Sequence, residues 1–403
     1  MTAGARPAAS KAERDEQRRI LAVSSGAHAL HDGYTDLIYV MLPIWQAEFG
    51  LSYAAIGVLR GVFAGTMASL QIPAGLLAER LGPVIVLAGG TALAGLGYCL
   101  AGTSAGIGML VVALLVGGLG SSTQHPIASA LVARAFTGPQ SFKALGTYNF
   151  AGDIGKMTIP AVAAFLLIAL PWRPTLAILG AAGFAAAAAI LHLTPRLADH
   201  KPVAKNSEQA EGKLPAAEHA FPILLTIGIL DSATRMGFLT FLPFLLVAKG
   251  ATLPLVGIAL TLVFAGGAAG KLVCAFLGAR IGATATMLVT ESLTALLIIA
   301  LLPLPLGWAV VILPVVGIAL NGTSSVLYGS VPDLVAPGRH VRAFGIFYTG
   351  TIGAGAIAPA IYGLGGDALG LNGALIIVAA SVLLTLPLAL ILRPALTAAA
   401  RKA

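Results

Sequence analysis

Landmarks in the first half of this 403-residue chain return in the second half at a nearly constant offset. Pro43, Gly50, Gly57, Arg80 and Gly82 recur 200 positions later as Pro243, Gly250, Gly257, Arg280 and Gly282. Lys143, Gly146 and Pro160 recur 199 positions later as Arg342, Gly345 and Pro359. Long apolar runs surround each landmark. A membrane-spanning helix needs about 20 mostly apolar residues. Twelve such runs lie near 20–47, 53–77, 83–103, 106–134, 144–169, 174–193, 221–247, 255–278, 283–303, 308–331, 342–365 and 371–392. The expected fold is therefore an all-α integral membrane protein, with twelve transmembrane helices in two pseudo-symmetric six-helix bundles. The bundles fall at 20–194 and 221–393. A cytoplasmic linker at 195–220 joins them, and cytoplasmic tails at 1–19 and 394–403 flank them.

Charge excludes the main soluble alternatives. Only 10% of residues are charged, against roughly 25% in a soluble protein, too few to coat a water-facing surface. The net charge of +8 invites a nucleic-acid reading, but its placement does not. With the N-terminus inside, eighteen of the 24 Lys and Arg residues fall on cytoplasmic segments, the bias that sets membrane topology. Both termini are then cytoplasmic and no nucleic-acid partner is expected. The first apolar run is too long and too polar for a cleaved signal peptide. Cys99 and Cys274 sit alone in apolar runs, without metal-ligand or disulfide spacing.

Two membrane halves in tandem characterise many secondary carriers, whose substrate site lies between the halves near the bilayer midplane. Ionisable side chains inside spans are costly and usually face a cavity or a partner. Span one carries His28, Asp32, Thr35 and Tyr39 on one stripe, flanked by His31 and Asp36, and that stripe is expected to line a central cavity. Span five repeats the pattern with Tyr148, Asn149, Asp153 and Lys156, where Asp153 and Lys156 are spaced to pair. Span seven has Asp231 and Arg235 at i, i+4, again spaced to pair. In span four, Gln124 and His125 precede Pro126, which frees a backbone carbonyl and bends the helix. Arg60 either faces the interior or snorkels to the outer interface, and Lys271 has the same two choices towards the inner one. Glu291 reads as an internally bonded residue of a supporting helix.

Gly75-Leu-Leu-Ala-Glu79-Arg80-Leu-Gly82, at the cytoplasmic end of span two, resembles the loop signature of the major facilitator superfamily. Its glycines allow a tight turn, and Arg134 at the inner end of span four is the expected partner of Glu79. The second copy, Gly278-Ala-Arg280-Ile-Gly282, has no acid, so the gating latch is expected mainly on the first half. His28-Ala-Leu-His31-Asp32-Gly33, Leu42-Pro43, Glu48-Phe49-Gly50-Leu51-Ser52 and Ile56-Gly57 resemble the opening of the fosmidomycin-resistance exporters. Gly120-Ser121-Ser122 with His125-Pro126 is similar to the span-four signature of that family. The resemblance implies the major facilitator fold, a bacterial inner-membrane location and export driven by inward proton flow. It matches Asp32 to the family's span-one acid and His125 to its span-four histidine. His31 departs from the family pattern, standing where an uncharged polar residue is expected.

The expected roles follow. Asp32, Asp36, His125 and Asp153 carry the coupling proton. His28, His31, Tyr39, Gln124, Tyr148, Asn149, Lys156, Asp231 and Arg235 bind substrate. Gly75, Glu79, Arg80, Gly82, Arg134 and Arg280 gate. The expected activity is monomeric efflux antiport, against protons, of a small organic anion or amphiphilic drug. The alternative is proton-linked uptake or exchange of an organic anion. An enzyme would need a convergent catalytic set, and neither an H-E-x-x-H pair nor a nucleophile elbow is present. The i, i+3, i+4 spacing of His28, His31 and Asp32 is no metal motif, so neither a metal nor a cofactor is expected.

Overall fold

The computed structural model describes residues 10–136, 139–195, 220–335 and 339–400. Most of the expected linker, residues 196–219, lies outside them. The described residues are almost wholly helical and contain no strand. The helices are α1 (Lys11–Phe49), α2 (Tyr53–Ser69), α3 (Gln71–Leu81), α4 (Pro83–Gly102), α5 (Ile107–Ser121), α6 (Gln124–Ala135) and α7 (Pro139–Ala169). They continue as α8 (Trp172–Leu193), α9 (Ala220–Ala248), α10 (Leu253–Ile281), α11 (Ala283–Leu301), α12 (Leu306–Ser330), α13 (His340–Leu383) and α14 (Thr385–Ala400).

Nine described segments are long and apolar enough to cross a bilayer, and the bent pair α2–α3 makes a tenth. The 39-residue α1 spans as well, but its polar stripe lowers its hydropathy. The run Arg342–Ala398 has 57 residues, about 85 Å if straight, far longer than one crossing. It turns back at Gly370, where φ is 77°. Dividing it there and adding α1 gives the twelve crossings expected. Large apolar side chains stay exposed around the bundle, including Ile72 at 78% and Phe276 at 72%, as lipid-facing surface requires and water would penalise.

Local chemistry explains the breaks. Pro73 cannot donate to the carbonyl of Ser69, and the second crossing bends by 43° between α2 and α3. Pro126 likewise cannot donate to Ser122, which separates α5 from α6; there the Ser122 and Thr123 hydroxyls donate to Leu119 O at 2.7 Å and Gly120 O at 3.0 Å. Two of the duplicated glycine pairs are duplicated turns. Gly50 and Gly250 end α1 and α9 with φ of 61° and 91°, and Gly82 and Gly282 turn α3 into α4 and α10 into α11 with φ of 91° and 84°. Side chains rarely adopt that backbone. A Ser10–Glu13 capping box starts α1 within residues 1–19, and α14 carries Pro394 on to Ala400.

Twelve crossings bring the start of α1 and the end of α14 to one side, the tail side. Across the halves α2 packs on α13 and α7 on α10. On the far side the halves share one apolar core, in which Leu42 and Trp45 join Phe241 and Leu245. Towards the tail side that core divides. One cluster, around Ile20, Leu131 and Ile190, belongs to the first half and another, around Leu224, Leu327 and Leu392, to the second. The halves are thus sealed on the far side and separate on the tail side.

Candidate functional site

Between the halves lies a cavity of about 280 Å³, walled by α1, α2, α6 and α7 from one half and α9, α10, α12 and α13 from the other. Four basic side chains line it, Arg60, Lys156, Arg235 and Lys271, with three acids, Asp32, Asp36 and Asp153, and His125. Asp32, Thr35 and Asp36 of the α1 stripe therefore open on water-accessible space, which supplies the solvation that the acids require.

The pairs are not those that local spacing suggests. Lys156 Nζ lies 3.2 Å from Asp32 Oδ2, tying α7 to α1. Asp153 instead accepts from Lys271 with both oxygens at 2.7 Å, an ion pair that joins the two halves. The expected Asp153–Lys156 pair is corrected accordingly, because cross-helix partners satisfy each charge more closely. Lys271 faces the cavity rather than snorkelling inward. Arg60 does not snorkel outward either. It is 3% exposed, donates to Tyr39 Oη at 3.2 Å and lies 4.9 Å over the Tyr39 ring.

Asp231 and Arg235 do approach each other, with Nη2 at 3.9 Å from Oδ2. Asp231 stands behind the cavity wall in the α9 core, on the side of buried Glu291. The Nε of Arg235, and the Nε and Nη1 of Arg60, are buried without a hydrogen-bond partner. No ion pair within 4 Å involves Asp36 among the described residues, although it lines the same space.

Above Asp32 lies a histidine cluster. His28 Nε2 is 3.3 Å, His31 Nε2 3.8 Å and His125 Nε2 4.0 Å from Asp32 Oδ1. His31 and His125 meet Nε2 to Nε2 at 3.3 Å. His28 Nδ1 donates to the Tyr148 carbonyl at 2.8 Å, and its ring stacks on Tyr148 at 4.1 Å. The fold therefore gathers six of the expected residues on the cavity wall: Asp32, Asp36, His125, Asp153, Lys156 and Arg235. Others of the set stand behind it. His28 and Tyr148 brace Asp32, Tyr39 holds Arg60 and Met236, and His31 and Gln124 border a small void of about 10 Å³. Asn149 is exposed and takes no part in the wall.

Sequence reading missed Arg60, Lys271, Asn321 and Tyr328 on that wall. Charge inside a span was the available signal for the first two.

The gating loop also differs. Glu79, Arg80, Arg134 and Arg280 are all exposed, and no ion pair joins Glu79 to Arg134 among the described residues. With the tail side open, α3 packs on α4 and α6 of its own half. Gly82 needs its positive φ, whereas a side chain on Gly75 would meet nothing within 4 Å.

Comparison with known proteins completes the description of the site. The family model described as Major Facilitator Superfamily matches residues 25–227 and 223–402. Over 149 residues the chain is 32% identical to the probable sulfoacetate transporter SauU of Cupriavidus necator, covering 36% of this chain and 34% of that one. Over 148 residues it is 28% identical to the fosmidomycin resistance protein of Escherichia coli, covering 37% and 36%. These matches span about a third of each relative's length. A bacterial homologue of the human lysosomal transporter Spinster, solved in an inward-facing and unoccupied conformation, superposes with a TM-score of 0.79 at 16% identity, covering 98% of this chain and 99% of that one.

Proposed function

The chain belongs to the Major Facilitator Superfamily, and we propose that it is a proton-coupled carrier of a small organic anion, working by alternating access as an efflux antiporter. One observation carries the anion. Arg60 and Arg235 bring two guanidinium forks to the cavity wall beside Lys156 and Lys271, four basic side chains against three acids. A carboxylate, sulfonate or phosphonate matches that fork geometry, where a cationic or neutral solute would leave it unmet. The relative named for sulfoacetate supports the same class.

Asp32 is the proposed proton carrier. Its Oδ2 holds Lys156 while its Oδ1 faces the imidazoles. A proton on Asp32 removes the charge that holds Lys156 and so alters the affinity of the cavity for an anion. Asp36, one turn further along α1, lines the same space without an ion pair within 4 Å and is the second candidate. His125 sits between Asp32 and the cavity water, placed to relay the proton. Moving one elementary charge across the membrane yields about 2.3 kcal/mol per 100 mV, enough to sustain a useful gradient.

The lipid setting is a bacterial inner membrane with both termini cytoplasmic, so the opening faces inward. Both walls come from one chain, which suits a monomer. Gating lies at the tail-side turn, where Gly75, Glu79, Arg80, Gly82 and Arg134, with Arg280 of the other half, come together when that side closes.

A thermal-shift panel of carboxylates, sulfonates, phosphonates and cationic drugs at two pH values tests the class. An anion should stabilise the wild type, and Arg235→Ala should weaken its binding by roughly one to two orders of magnitude, the loss of one charged hydrogen bond. Stabilisation by cations alone would overturn the reading. Flux in inverted against right-side-out vesicles separates export from the alternative, proton-linked uptake.

A further inference from the structure

The sequence offers His28, His31 and Asp32 at a spacing that is no metal motif; the fold adds His125 from α6. His28 is decisive. A backbone carbonyl only accepts, so the 2.8 Å contact with Tyr148 O fixes a proton on His28 Nδ1. Its Nε2 then points at Asp32 Oδ1, 3.3 Å away, and is buried without a hydrogen-bond partner. At 3.3 Å this Nε2 and the carboxylate oxygen share one cation between them, and a metal ion bridging the two atoms satisfies both. Carbonyl-anchored Nδ1–H with a free Nε2 is also how proteins orient metal-binding histidines.

The distances fit an ion. One ligand atom from each of His28, Asp32 and His125 lies within 4.8 Å of the others. A tetrahedral ion with bonds of about 2.0–2.1 Å sets its ligands ~3.4 Å apart. Four edges are 3.3 Å for His28–Asp32, 3.3 Å for His31–His125, 3.8 Å for His31–Asp32 and 4.0 Å for His125–Asp32, and the His28–His125 edge falls within 4.8 Å. The longest edge involves His125, whose side chain is 43% exposed to the cavity and has room to close in. Lys156 holds the other carboxylate oxygen and leaves Oδ1 available. Asp36, one turn along α1, supplies negative charge nearby without an ion pair within 4 Å.

We infer that His28 Nε2, Asp32 Oδ1 and His125 Nε2, with His31 Nε2 at the edge, form a binding site for a divalent transition-metal ion of the Zn²⁺ class. Imidazole ligands favour Zn²⁺, Co²⁺, Ni²⁺ or Cu²⁺ over Mg²⁺ and Ca²⁺. The ion enters from the cavity past His125 and ties α1 to α6. The site stands on these four side chains alone. A second consequence rests on the transport reading: an ion here takes the atoms proposed to carry the proton, so it inhibits coupled transport.

Isothermal titration of Zn²⁺ into the full chain, purified in detergent without a polyhistidine tag, tests the site. One ion per chain is expected. His28→Ala and His125→Ala should each weaken binding at least tenfold, since losing even a partner behind a ligand costs about 10–100-fold. His192→Ala, at an exposed position, should change nothing. Co²⁺ bound to the wild type gives a reading that needs no variant, with intense visible bands for tetrahedral nitrogen and oxygen ligation. Absence of stoichiometric Zn²⁺ binding, affinity unchanged in both histidine variants, or a weak octahedral Co²⁺ spectrum would each overturn the site. None of these readouts uses flux, so failure of the transport reading leaves the metal inference standing.

Discussion

Asp32 and Lys156 show how a span tolerates charge. Each is stabilised by the other, Lys156 a third exposed to cavity water and Asp32 almost closed off. Removing one partner leaves the other partly buried and unmatched. Lys156→Met should therefore destabilise by ~1–3 kcal/mol, between the values for exposed and fully buried pairs. Asp32→Asn combined with Lys156→Met should recover most of that loss, because no lone charge remains. Melting curves in detergent decide it; equal melting of the single and double variants would mean that the pair does not act as one.

The residues also mark where sequence reading stopped. Helical period placed His28, Asp32, Thr35 and Tyr39 on one face, and the i, i+4 pair Asp231–Arg235 formed as spaced. Period fixes a face but not which helix will face it. Asp153 and Lys156 therefore looked like partners of each other, and each found a closer one on another helix.

At the scale of elements, the far-side seal depends on close helix crossings and on one carboxylate. A side chain on Gly57 would collide with the backbone of Pro359 and Ala360 across the halves. Gly57→Ala should thus cost about 1–3 kcal/mol of overpacking. Gly75→Ala, with open space at the site, should gain roughly 0.5–1 kcal/mol from helix propensity. Comparing the two by melting temperature checks the crossing, and equal tolerance would argue against it.

Asp367, in the turn before Gly370, accepts from Tyr53 N at 2.6 Å and Ala54 N at 3.1 Å, so the second half caps α2 of the first. Desolvation raises its pKa, but the Ala54 and Tyr53 N–H groups and the Ser52 hydroxyl outweigh it and hold the carboxyl below its usual range. A carboxyl lowered by its cap stabilises the sealed state above the ordinary carboxylate range, near ~3.9. That contribution is lost only as pH falls through the lowered value. Asp367→Ala should therefore loosen the seal by about 1 kcal/mol, equally at pH 5 and pH 8. Spin labels at Ala47 and Asn372, one on each half, report the opening as a longer distance; a pH-dependent effect in that range would contradict the assignment.

At the scale of the whole molecule, the duplicated landmarks made the fold legible, because Gly50, Gly82, Gly250 and Gly282 are turns that the backbone demands and Gly57 and Gly257 are close helix crossings. Twelve crossings followed from apolar run length, and two halves from the repeat of landmarks at offsets of 200 and 199. The state of the molecule was not legible. One apolar core on the far side and two on the tail side arise from contacts between helices hundreds of residues apart. Among the described residues Glu79 and Arg134 make no ion pair with each other, and both are exposed on the open side. The cross-half pair Asp153–Lys271 and the proposed proton site at Asp32 lie at the apex of this opening, where a change of charge acts on both halves together.

The most direct test is proton-driven flux in proteoliposomes, using an anion identified by the thermal-shift panel. Wild-type protein should accumulate the anion against its gradient when a pH difference is imposed. Asp32→Asn should lose that response while still binding the anion and exchanging it down its gradient. Undiminished proton-driven accumulation in Asp32→Asn would contradict the account.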